Sequence, residues 1–297
     1  MIVVAGGTGF LGSHIVRALV GHGNPVRVLS RNPEVAPDLG QKETVPGDVL
    51  EPPTLGEAVA GCEAIVMAAQ FPGHPMEKPR RGRSYDAVDR AGTENLLTAA
   101  RAAGVERFLY LSGAGVGQGR PEPWFVAKDR AEAAVRASGL AWINLRASWA
   151  YGLGDRALNR IARIARFSPV VPVLGWDRQR VMPVWSADVG EAAARAFATD
   201  AAWNRTLEIG GPEILTMREV IRTLMHVCGR RRLLVPMPTR LAKLATAPLS
   251  ILPNPPLSPR GVDFATADAL VDNTAVREVL GMEPVRLEDG LLRYPVG

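Results

Sequence analysis

The fold is decided by the stretch Ile2-Val-Val-Ala-Gly-Gly-Thr-Gly-Phe-Leu-Gly-Ser13. A short apolar run leads into Gly6, Gly9 and Gly12, and apolar residues at helical spacing continue to residue 20. Glycines at this spacing permit a tight strand-to-helix turn, a close approach of the backbone to a pyrophosphate, and close helix–strand packing. The free N–H groups at the start of the helix suit phosphate oxygens. The stretch therefore predicts a dinucleotide-binding turn, with an ordinary structural turn as the alternative.

Apolar runs and helical patterns alternate through the first half of the chain, which indicates βαβ units and a parallel sheet. The predicted strands are 2–5, 26–29, 43–45, 64–67, 108–111, 142–145 and 206–209. The predicted helices are 10–20, 87–103, 125–137, 186–198 and one that is capped by Thr216 and ends at Val227. Because such crossovers are right-handed, we expect an α/β fold with a doubly wound parallel (Rossmann) sheet and a smaller C-terminal lobe. We assign 1–150 and 184–210 to the dinucleotide-binding domain, and 151–183 and 211–297 to the small lobe.

The 297 residues are 47% hydrophobic and 22% charged, which suits a folded protein and excludes global disorder. Cys62 and Cys228 are too few and too far apart for a disulfide framework, so we expect reduced cysteines and a cytoplasmic location. The net charge is +5 and the basic residues are scattered apart from Arg230-Arg231-Arg232, which argues against a nucleic-acid partner. No apolar run approaches the ~18 residues of a membrane-spanning helix, and we expect no targeting segment.

The end of the second predicted strand distinguishes the two nicotinamide dinucleotides. NAD-binding proteins with this turn carry Asp or Glu there for the ribose hydroxyls, whereas this chain has Ser30-Arg31-Asn32. No carboxylate at these positions repels a 2′-phosphate, and the Arg31 guanidinium can pair with it bidentately. We therefore expect NADP(H) in preference to NAD(H). The alternative is that Arg31 is simply a solvated loop residue.

Four further segments point to one superfamily: Gly47-Asp48-Val49, Ala68-Ala69, Val88-Asp-Arg-Ala-Gly-Thr-Glu-Asn-Leu-Leu97 and Leu111-Ser-Gly-Ala114. With the glycine motif, they make nearly the whole chain resemble the short-chain dehydrogenase/reductase superfamily in its extended (epimerase/dehydratase-like) and atypical branches. The resemblance implies that Asp48 contacts the adenine amine and that Ser112 ends the catalytic strand. The cofactor-binding residues implied by the motif and the resemblance are Gly6, Thr8, Gly9, Phe10, Leu11, Gly12, Ser30, Arg31, Asp48, Val49, Ala68, Ala69 and Lys128.

Later segments narrow this resemblance to one atypical branch. They are Arg146-Ala-Ser-Trp-Ala-Tyr-Gly152, Asp155-Arg-Ala-Leu-Asn159, Asp188-Val189 and Glu208-Ile-Gly-Gly-Pro212. The chain is similar there to the Rossmann-type accessory subunit of respiratory complex I and to related quinone-biosynthesis accessory proteins. In that branch a bound NADPH is commonly regarded as structural. The resemblance therefore implies an accessory or assembly factor with a structural or sensing nucleotide, linked to respiratory or quinone machinery.

The helix after the serine strand lacks the residue that the superfamily uses as its acid. Short-chain dehydrogenases carry Tyr-x-x-x-Lys there, and the matching segment in this chain is Trp124-Phe-Val-Ala-Lys128. In the family the lysine holds the nicotinamide ribose and lowers the pKa of the tyrosine, which exchanges a proton with the substrate oxygen. An indole N–H donates a hydrogen bond but does not titrate in the useful range. Carbonyl reduction by the family mechanism is therefore not expected.

Three alternatives would restore proton transfer. Lys128 could itself be the donor, Tyr151 could reach the nicotinamide end, or Tyr110, on the strand face of Ser112, could lie nearby. With Ser112 and Lys128 as catalytic residues, the chain would be an NADPH-dependent reductase or epimerase acting on a hydrophobic substrate. The other interpretation keeps both residues as cofactor and packing contacts without turnover.

Two further features concern metals and surfaces. The four histidines lack the ligand spacing of a metal site, so we expect no metal; they are His14, His22, His74 and His226. The stretch 238–252 combines apolar residues at helical spacing with sparse basic ones, and Pro248 breaks it. Such a segment could lie on a lipid surface or close the substrate cleft. The branch resemblance favours a protein partner or a membrane surface, with the protein peripheral at the inner face of a membrane.

Overall fold

A seven-stranded parallel sheet forms the larger part of the molecule. The computed structural model describes residues 1–72, 77, 83–175, 178–248, 262–263 and 265–296. The described strands are β1 (Ile2–Ala5), β2 (Val26–Ser30), β3 (Glu43–Pro46), β4 (Ala64–Met67), β5 (Arg107–Gly113), β6 (Ala141–Ala147), β7 (Ala150–Tyr151), β8 (Val170–Leu174), β9 (Arg180–Val181), β10 (Val184–Trp185), β11 (Arg205–Ile209), β12 (Leu215–Thr216) and β13 (Leu233–Met237).

The helices alternate with these strands as the periodicity predicts. They are α1 (Phe10–Gly21), α2 (Leu55–Val59), α3 (Gly92–Ala102), α4 (Pro123–Arg136), α5 (Ala157–Phe167), α6 (Ser186–Phe197), α7 (Met217–Val227), α8 (Thr239–Thr246), α9 (Thr274–Leu280) and α10 (Leu287–Leu291). Short 3₁₀ turns cover Pro33–Val35, Pro52–Thr54 and Asp200–Ala202. A π-helical segment, Asp86–Ala91, runs directly into α3.

The strand order of the large sheet is β3-β2-β1-β4-β5-β6-β11, and every neighbouring pair is parallel. Ala5 at the end of β1 is in register with Leu29 on one side and Met67 on the other. The chain therefore changes direction along the sheet between β1 and β4, which opens a crevice at the carboxyl ends of these strands. This arrangement confirms the predicted doubly wound α/β fold.

Both faces of the sheet are covered, so its strands are almost continuously apolar. The face under α1 and α6 is filled by Ile2, Val4, Ile15, Leu19, Val28, Leu109, Ile143, Ala192 and Ala196. The face under α2, α3 and α4 is filled by Val3, Ala5, Leu55, Ile65, Leu96, Phe108, Ala127 and Ala131. The alternation along β1 follows from the two-residue period of a strand.

A third apolar cluster forms the core of the C-terminal part, where α5 and α7 pack beside short strand pairs. β8 and β13 form a parallel ribbon, and β9 pairs with β12 in antiparallel fashion. The predicted Thr216 cap is confirmed: Thr216 and Glu219 form a capping box at the start of α7. Val276 and Leu280 of α9 pack instead into the core beneath the large sheet, although our assignment put 211–297 in the lobe. The domain boundaries themselves stay a prediction.

Two elements differ from the sequence expectations. The helix predicted over 87–103 divides into the π-helical segment and α3, and such segments are frequent at functional sites. The segment predicted over 238–252 forms α8, and its residues beyond 248 lie outside the described part of the chain. Within the described residues, none of the helices combines the length and the apolarity needed to span a bilayer.

Candidate functional site

The crevice between β1 and β4 is shaped by the absence of side chains. Gly6 has φ +79°, and a Cβ added there would lie 2.5 Å from the backbone nitrogen of Ala69. A Cβ on Gly12 would overlap the carbonyl oxygen of Gly6. Gly12 therefore lets the first turn of α1 lie against the end of β1, and Gly6 lets the end of β1 lie against the backbone that follows β4. The bare backbone that results leaves room for a pyrophosphate, which supports the predicted dinucleotide site.

The start of α1 presents backbone donors to this crevice. Gly9 is the N-cap in an extended conformation, and the N–H of Ser13 makes the first helical bond, 2.9 Å to the Gly9 carbonyl. The amides of Phe10, Leu11 and Gly12 precede that bond and lack helical acceptors. The first turn of α1, which is described throughout, contains no acidic residue to repel a phosphate. The helix N-terminus therefore suits an anion.

The predicted adenine side lies at the ends of β2 and β3. Arg31 is exposed, and its guanidinium has no ion-pair partner among the residues that the structure describes. Ser30 is buried, and its Oγ accepts the N–H of Asn32 at 3.2 Å. Asp48 closes its own turn, because its Oδ1 accepts the N–H of Leu50 at 3.0 Å. This edge of the sheet therefore presents one guanidinium and two turns that are closed by their own side chains.

The predicted lysine is held by a partner that the sequence analysis did not identify. Lys128 is 3% exposed, and its Nζ lies 3.3 Å from Oδ1 of the fully buried Asp89. The same ammonium donates to the Leu111 carbonyl at 3.1 Å and to the Tyr110 hydroxyl at 3.4 Å. The Phe71 N–H donates to Oδ2 of Asp89 at 3.0 Å. Lys128 is therefore fixed between the π-helical segment and the end of β5.

The charges of this cluster are held away from water. Burial raises the pKa of the Asp89 carboxyl, and the Lys128 ammonium opposes that shift. Burial also raises the pKa of Tyr110 well above its usual value, and the negative charge of Asp89 adds to the effect. Tyr110 is thus a buried partner of Lys128 and poorly suited to release a proton at neutral pH.

Trp124, which we predict to stand at the position of the family's tyrosine, is packed against the end of β5. A Cβ on Gly113 would lie 2.9 Å from Cζ2 of the indole, so this glycine makes room for the ring. Trp124 also makes an edge-to-face contact with Phe125, with ring centroids 4.7 Å apart. Next to Gly113, the Oγ of Ser112 is buried and has no hydrogen-bond partner in the described part of the chain. A ligand group at this strand end would satisfy that hydroxyl.

Tyr151, the other candidate acid, lies in the core of the C-terminal lobe. Its side chain is fully buried, and its hydroxyl is 3.4 Å from the carbonyl oxygens of Arg286 and Leu287. Burial raises the pKa of Tyr151 far above its usual value. These contacts make Tyr151 a core residue of the lobe.

Sequence reasoning missed two buried carboxylates on the inner faces of helices. Asp89 is one, and Glu132, fully buried on α4, is the other; Glu132 receives Nη2 of Arg146 at 2.7 Å. A weak signal for Glu132 exists, because it follows Lys128 by four residues and so shares its helix face. For Asp89 the signal is an acidic residue within the buried stripe of a helix. Among the described residues, no group of three or more His, Cys, Asp or Glu side chains is arranged to hold a metal ion.

Comparisons with known proteins agree with this geometry. Residues 6–162 match the NAD(P)H-binding family. The chain is 32% identical to the ceramide reductase of Caulobacter vibrioides over 80% of this chain and 74% of that protein. It is 27% identical to the mitochondrial NADH dehydrogenase [ubiquinone] 1 alpha subcomplex subunit 9 of Arabidopsis thaliana, over 99% of this chain and 75% of that protein. The structure of MoeE5 in complex with UDP-glucuronic acid and NAD superposes with a TM-score of 0.76 at 23% identity, covering 98% of this chain and 96% of that one.

These matches define the class of the protein. It is an NAD(P)-binding Rossmann protein of the short-chain dehydrogenase/reductase type, with the fold of the epimerases and dehydratases. The chain belongs to the NAD(P)H-binding family. The predicted resemblance to the superfamily and to the complex I subunit is confirmed.

The buried ion pair generates a stability prediction. Asp89→Asn is expected to lower the free energy of unfolding by about 3–5 kcal/mol, because it leaves the Lys128 ammonium buried without its carboxylate. Asp89→Asn combined with Lys128→Met is expected to recover most of that loss, since no uncompensated charge remains. Urea denaturation of both variants checks this, with the exposed Glu94→Gln as control. Equal stability of Asp89→Asn and wild type would contradict the assignment of an ionised pair.

Proposed function

We propose that the protein retains NADP(H) as a structural or sensing nucleotide and acts as an accessory or assembly factor. The observation that carries this proposal is which side chains lie where the family has its proton donor. An indole packs on Gly113 where the reductases have a phenol, and the lysine beside it is committed to Asp89. The residues around Ser112 thus offer contacts for a nucleotide. The nearby Tyr110 hydroxyl has a pKa raised too far for proton transfer at neutral pH.

The residues that would hold the nucleotide follow from the crevice. The amides at the start of α1 would bind the pyrophosphate. The backbone of Ala68 and Ala69 would lie beside the adenine ribose, and Asp48 and Val49 would border the adenine. When bound, NADPH supplies a hydride donor at the Ser112 end of the sheet. The Oγ of Ser112 would hydrogen-bond a group of the bound nucleotide or ligand at that strand end. Lys128 would hold α4 in place beside the nucleotide through its ion pair with Asp89.

An accessory role is supported by the breadth of one similarity. The Arabidopsis protein named as a subunit of the mitochondrial NADH dehydrogenase aligns with 99% of this chain, lobe included. A role linked to respiratory or quinone machinery would follow from a contact between the lobe and a protein of that machinery. A sensing role differs in requiring unequal affinities for the reduced and oxidised nucleotide.

A second candidate is an NADPH-dependent reductase or epimerase acting on a hydrophobic substrate with Ser112 and Lys128. The unpartnered, buried Ser112 Oγ favours it, because a substrate oxygen would satisfy that group. The relative named ceramide reductase also supports it, at 32% identity. In this alternative Lys128 would need to move a proton while remaining paired with Asp89.

The dissociation rate of NADPH separates the two candidates. We expect release over minutes to hours, since a retained nucleotide need not leave during function, whereas an enzyme must release it at about 1 s⁻¹ or faster. Stopped-flow fluorescence with excess NADP⁺ as competitor measures this rate. Release within seconds, together with carbonyl-dependent NADPH oxidation that Ser112→Ala abolishes, would overturn the accessory role and support the reductase.

The preference for NADP(H) over NAD(H) rests on Arg31. Arg31→Gln is expected to weaken NADPH binding about tenfold or more and to leave NADH binding unchanged, since a charge-assisted contact to the 2′-phosphate is lost. Fluorescence titrations after long equilibration measure both affinities. Arg101→Gln is the matched control, an exposed arginine at the end of α3. Equal losses for the two nucleotides would show that Arg31 does not read the phosphate.

We further propose that an apolar surface of the lobe, rather than α8 alone, meets a membrane. This lobe surface consists of Phe167, the outward face of the β8–β13 ribbon and the exposed leucines of α8. Val170 and Leu233 are in register on the ribbon, and Leu233 is 64% exposed. Phe167 is 81% exposed and Leu244 is 72% exposed. Exposed arginines flank these residues on α5 and before β13, which suits anionic lipid; they include Arg163, Arg166 and Arg231. A protein partner is the alternative occupant.

Co-sedimentation with vesicles tests the lobe surface. Phe167→Gln and Leu244→Gln are expected to reduce binding to vesicles that contain phosphatidylglycerol, because each removes apolar area that would enter the lipid interface. Val35→Gln is the control, since Val35 is 80% exposed beside β2. Unchanged sedimentation of both lobe variants would remove the membrane and leave the protein partner.

A further inference from the structure

A polar cleft of about 510 Å³ opens between the loop that joins β5 to α4 and the C-terminal lobe. Its lining residues are Gln118, Arg120, Arg178, Gln179, Thr266 and Asp268. The loop that supplies Gln118 and Arg120 connects Ser112 to Trp124, so the cleft adjoins the end of the sheet where the nicotinamide would lie. All six lining residues are polar or charged, in contrast to the hydrophobic substrate of the alternative that uses Ser112 and Lys128 as catalytic residues.

Two guanidinium groups border the cleft. Arg178 is exposed and has no ion-pair partner within the described residues. Arg120 is held in position, because its guanidinium stacks 3.8 Å from the centroid of the Phe125 ring and lies 3.2 Å from Oε1 of Glu122. Both guanidinium groups belong to the lining of the cleft, and each presents a planar set of N–H donors that suits a phosphate or carboxylate.

Acceptors line the other part of the cleft. Gln179 is 6% exposed, and its Nε2 donates to the Ala267 carbonyl at 2.7 Å. The opposite atom of the same amide, Oε1, is buried and has no hydrogen-bond partner. Asp268 adds a carboxylate whose Oδ1 already accepts the N–H of Arg180 at 2.8 Å. A buried acceptor without a donor costs free energy, so a ligand hydroxyl that donated to Gln179 would be stabilised there.

The cleft is connected to the nucleotide end of the sheet through aromatic rings. Arg120 stacks on Phe125, Phe125 makes an edge-to-face contact with Trp124, and Trp124 covers Gly113. A ligand that engaged Arg120 would therefore lie within two side chains of the strand end that carries Ser112. Aromatic contacts therefore connect the cleft to the strand end that carries Ser112.

We propose that this cleft binds the headgroup of a phosphorylated polyol. Arg178 and Arg120 take the phosphate, and Gln179 with Asp268 accept hydrogen bonds from the hydroxyls. The proposal rests on the nucleotide-retaining function, since it names a second ligand beside the proposed nucleotide. The same chemistry is present in a free sugar or glycerol phosphate and in a phosphoglycerol lipid headgroup.

The test uses the NADPH-loaded protein and two probes, sn-glycerol 3-phosphate and dihexanoyl phosphatidylglycerol kept below its micelle concentration, with inorganic phosphate as a reference ligand. We expect saturable binding of at least one probe by calorimetry, with a Kd of about 1 mM or tighter. Arg178→Gln is expected to weaken it about tenfold or more, Arg178→Lys less, and Arg101→Gln not at all. Gln179→Leu is expected to weaken the binding of glycerol 3-phosphate but not the binding of inorganic phosphate. Bound NADPH is quantified by absorbance in every sample.

Each outcome bears on the proposal separately from nucleotide retention. Binding of glycerol 3-phosphate alone identifies a free phosphate ester, and binding of the lipid probe alone identifies a lipid headgroup. Absence of binding by both probes, or an unchanged Kd in Arg178→Gln, would overturn the cleft assignment even where NADPH stays bound. Loss of NADPH from the wild type during the measurement would instead count against the retained nucleotide, while binding that still depends on Arg178 would keep the cleft assignment.

Discussion

The whole site depends on one steric constraint, the close approach of the first turn of α1 and of the chain after β4 to the end of β1. A Cβ on Gly12 would overlap the Gly6 carbonyl, and a Cβ on Gly6 would collide with the backbone at Ala69. With both side chains absent, the start of α1 lies at the crevice where the sheet changes direction. On either side of that helix start lie the ends of β2 and β3, where we predict the adenine, and the end of β5, where we predict the nicotinamide.

At the β5 end, the inner face of α4 is committed to structure. Trp124, Lys128 and Glu132 follow one another at four-residue spacing, so one stripe of the helix carries all three. They contact, in turn, Gly113, Asp89 and Arg146. The buried charges are each paired, which avoids the large cost of an isolated buried ion. The same pairing commits the Lys128 ammonium to Asp89, which supports the proposed retention of a nucleotide.

The sequence predicted what local periodicity and glycine spacing determine. Strand β4 was predicted to the residue, and α1 and α7 to within a residue or two, because their apolar patterns and caps are local signals. The partner of Lys128 could not be predicted in this way, since Asp89 belongs to a different helix and meets it only through the fold. The β8–β13 ribbon was also missed, because its strands contain Pro172 and Pro236 and their pairing joins distant parts of the chain. Tyr151 illustrates the same limit: its place in the sequence fits two roles, and only packing decides between a cleft and a core.

The indole that we predict at the position of the family's tyrosine does more than remove an acid. An indole needs more room than a phenol, and Gly113 provides that room where any side chain would intrude on the ring. The indole then supports Phe125, and Phe125 carries the guanidinium of Arg120 at the mouth of the polar cleft. A cation over an aromatic ring is stabilised by the charge distribution of that ring. Trp124 therefore links the strand end beside Ser112 to the Arg120 guanidinium at the cleft. A different ring at position 124 would alter the position of that guanidinium as well as the proton donor available beside Ser112.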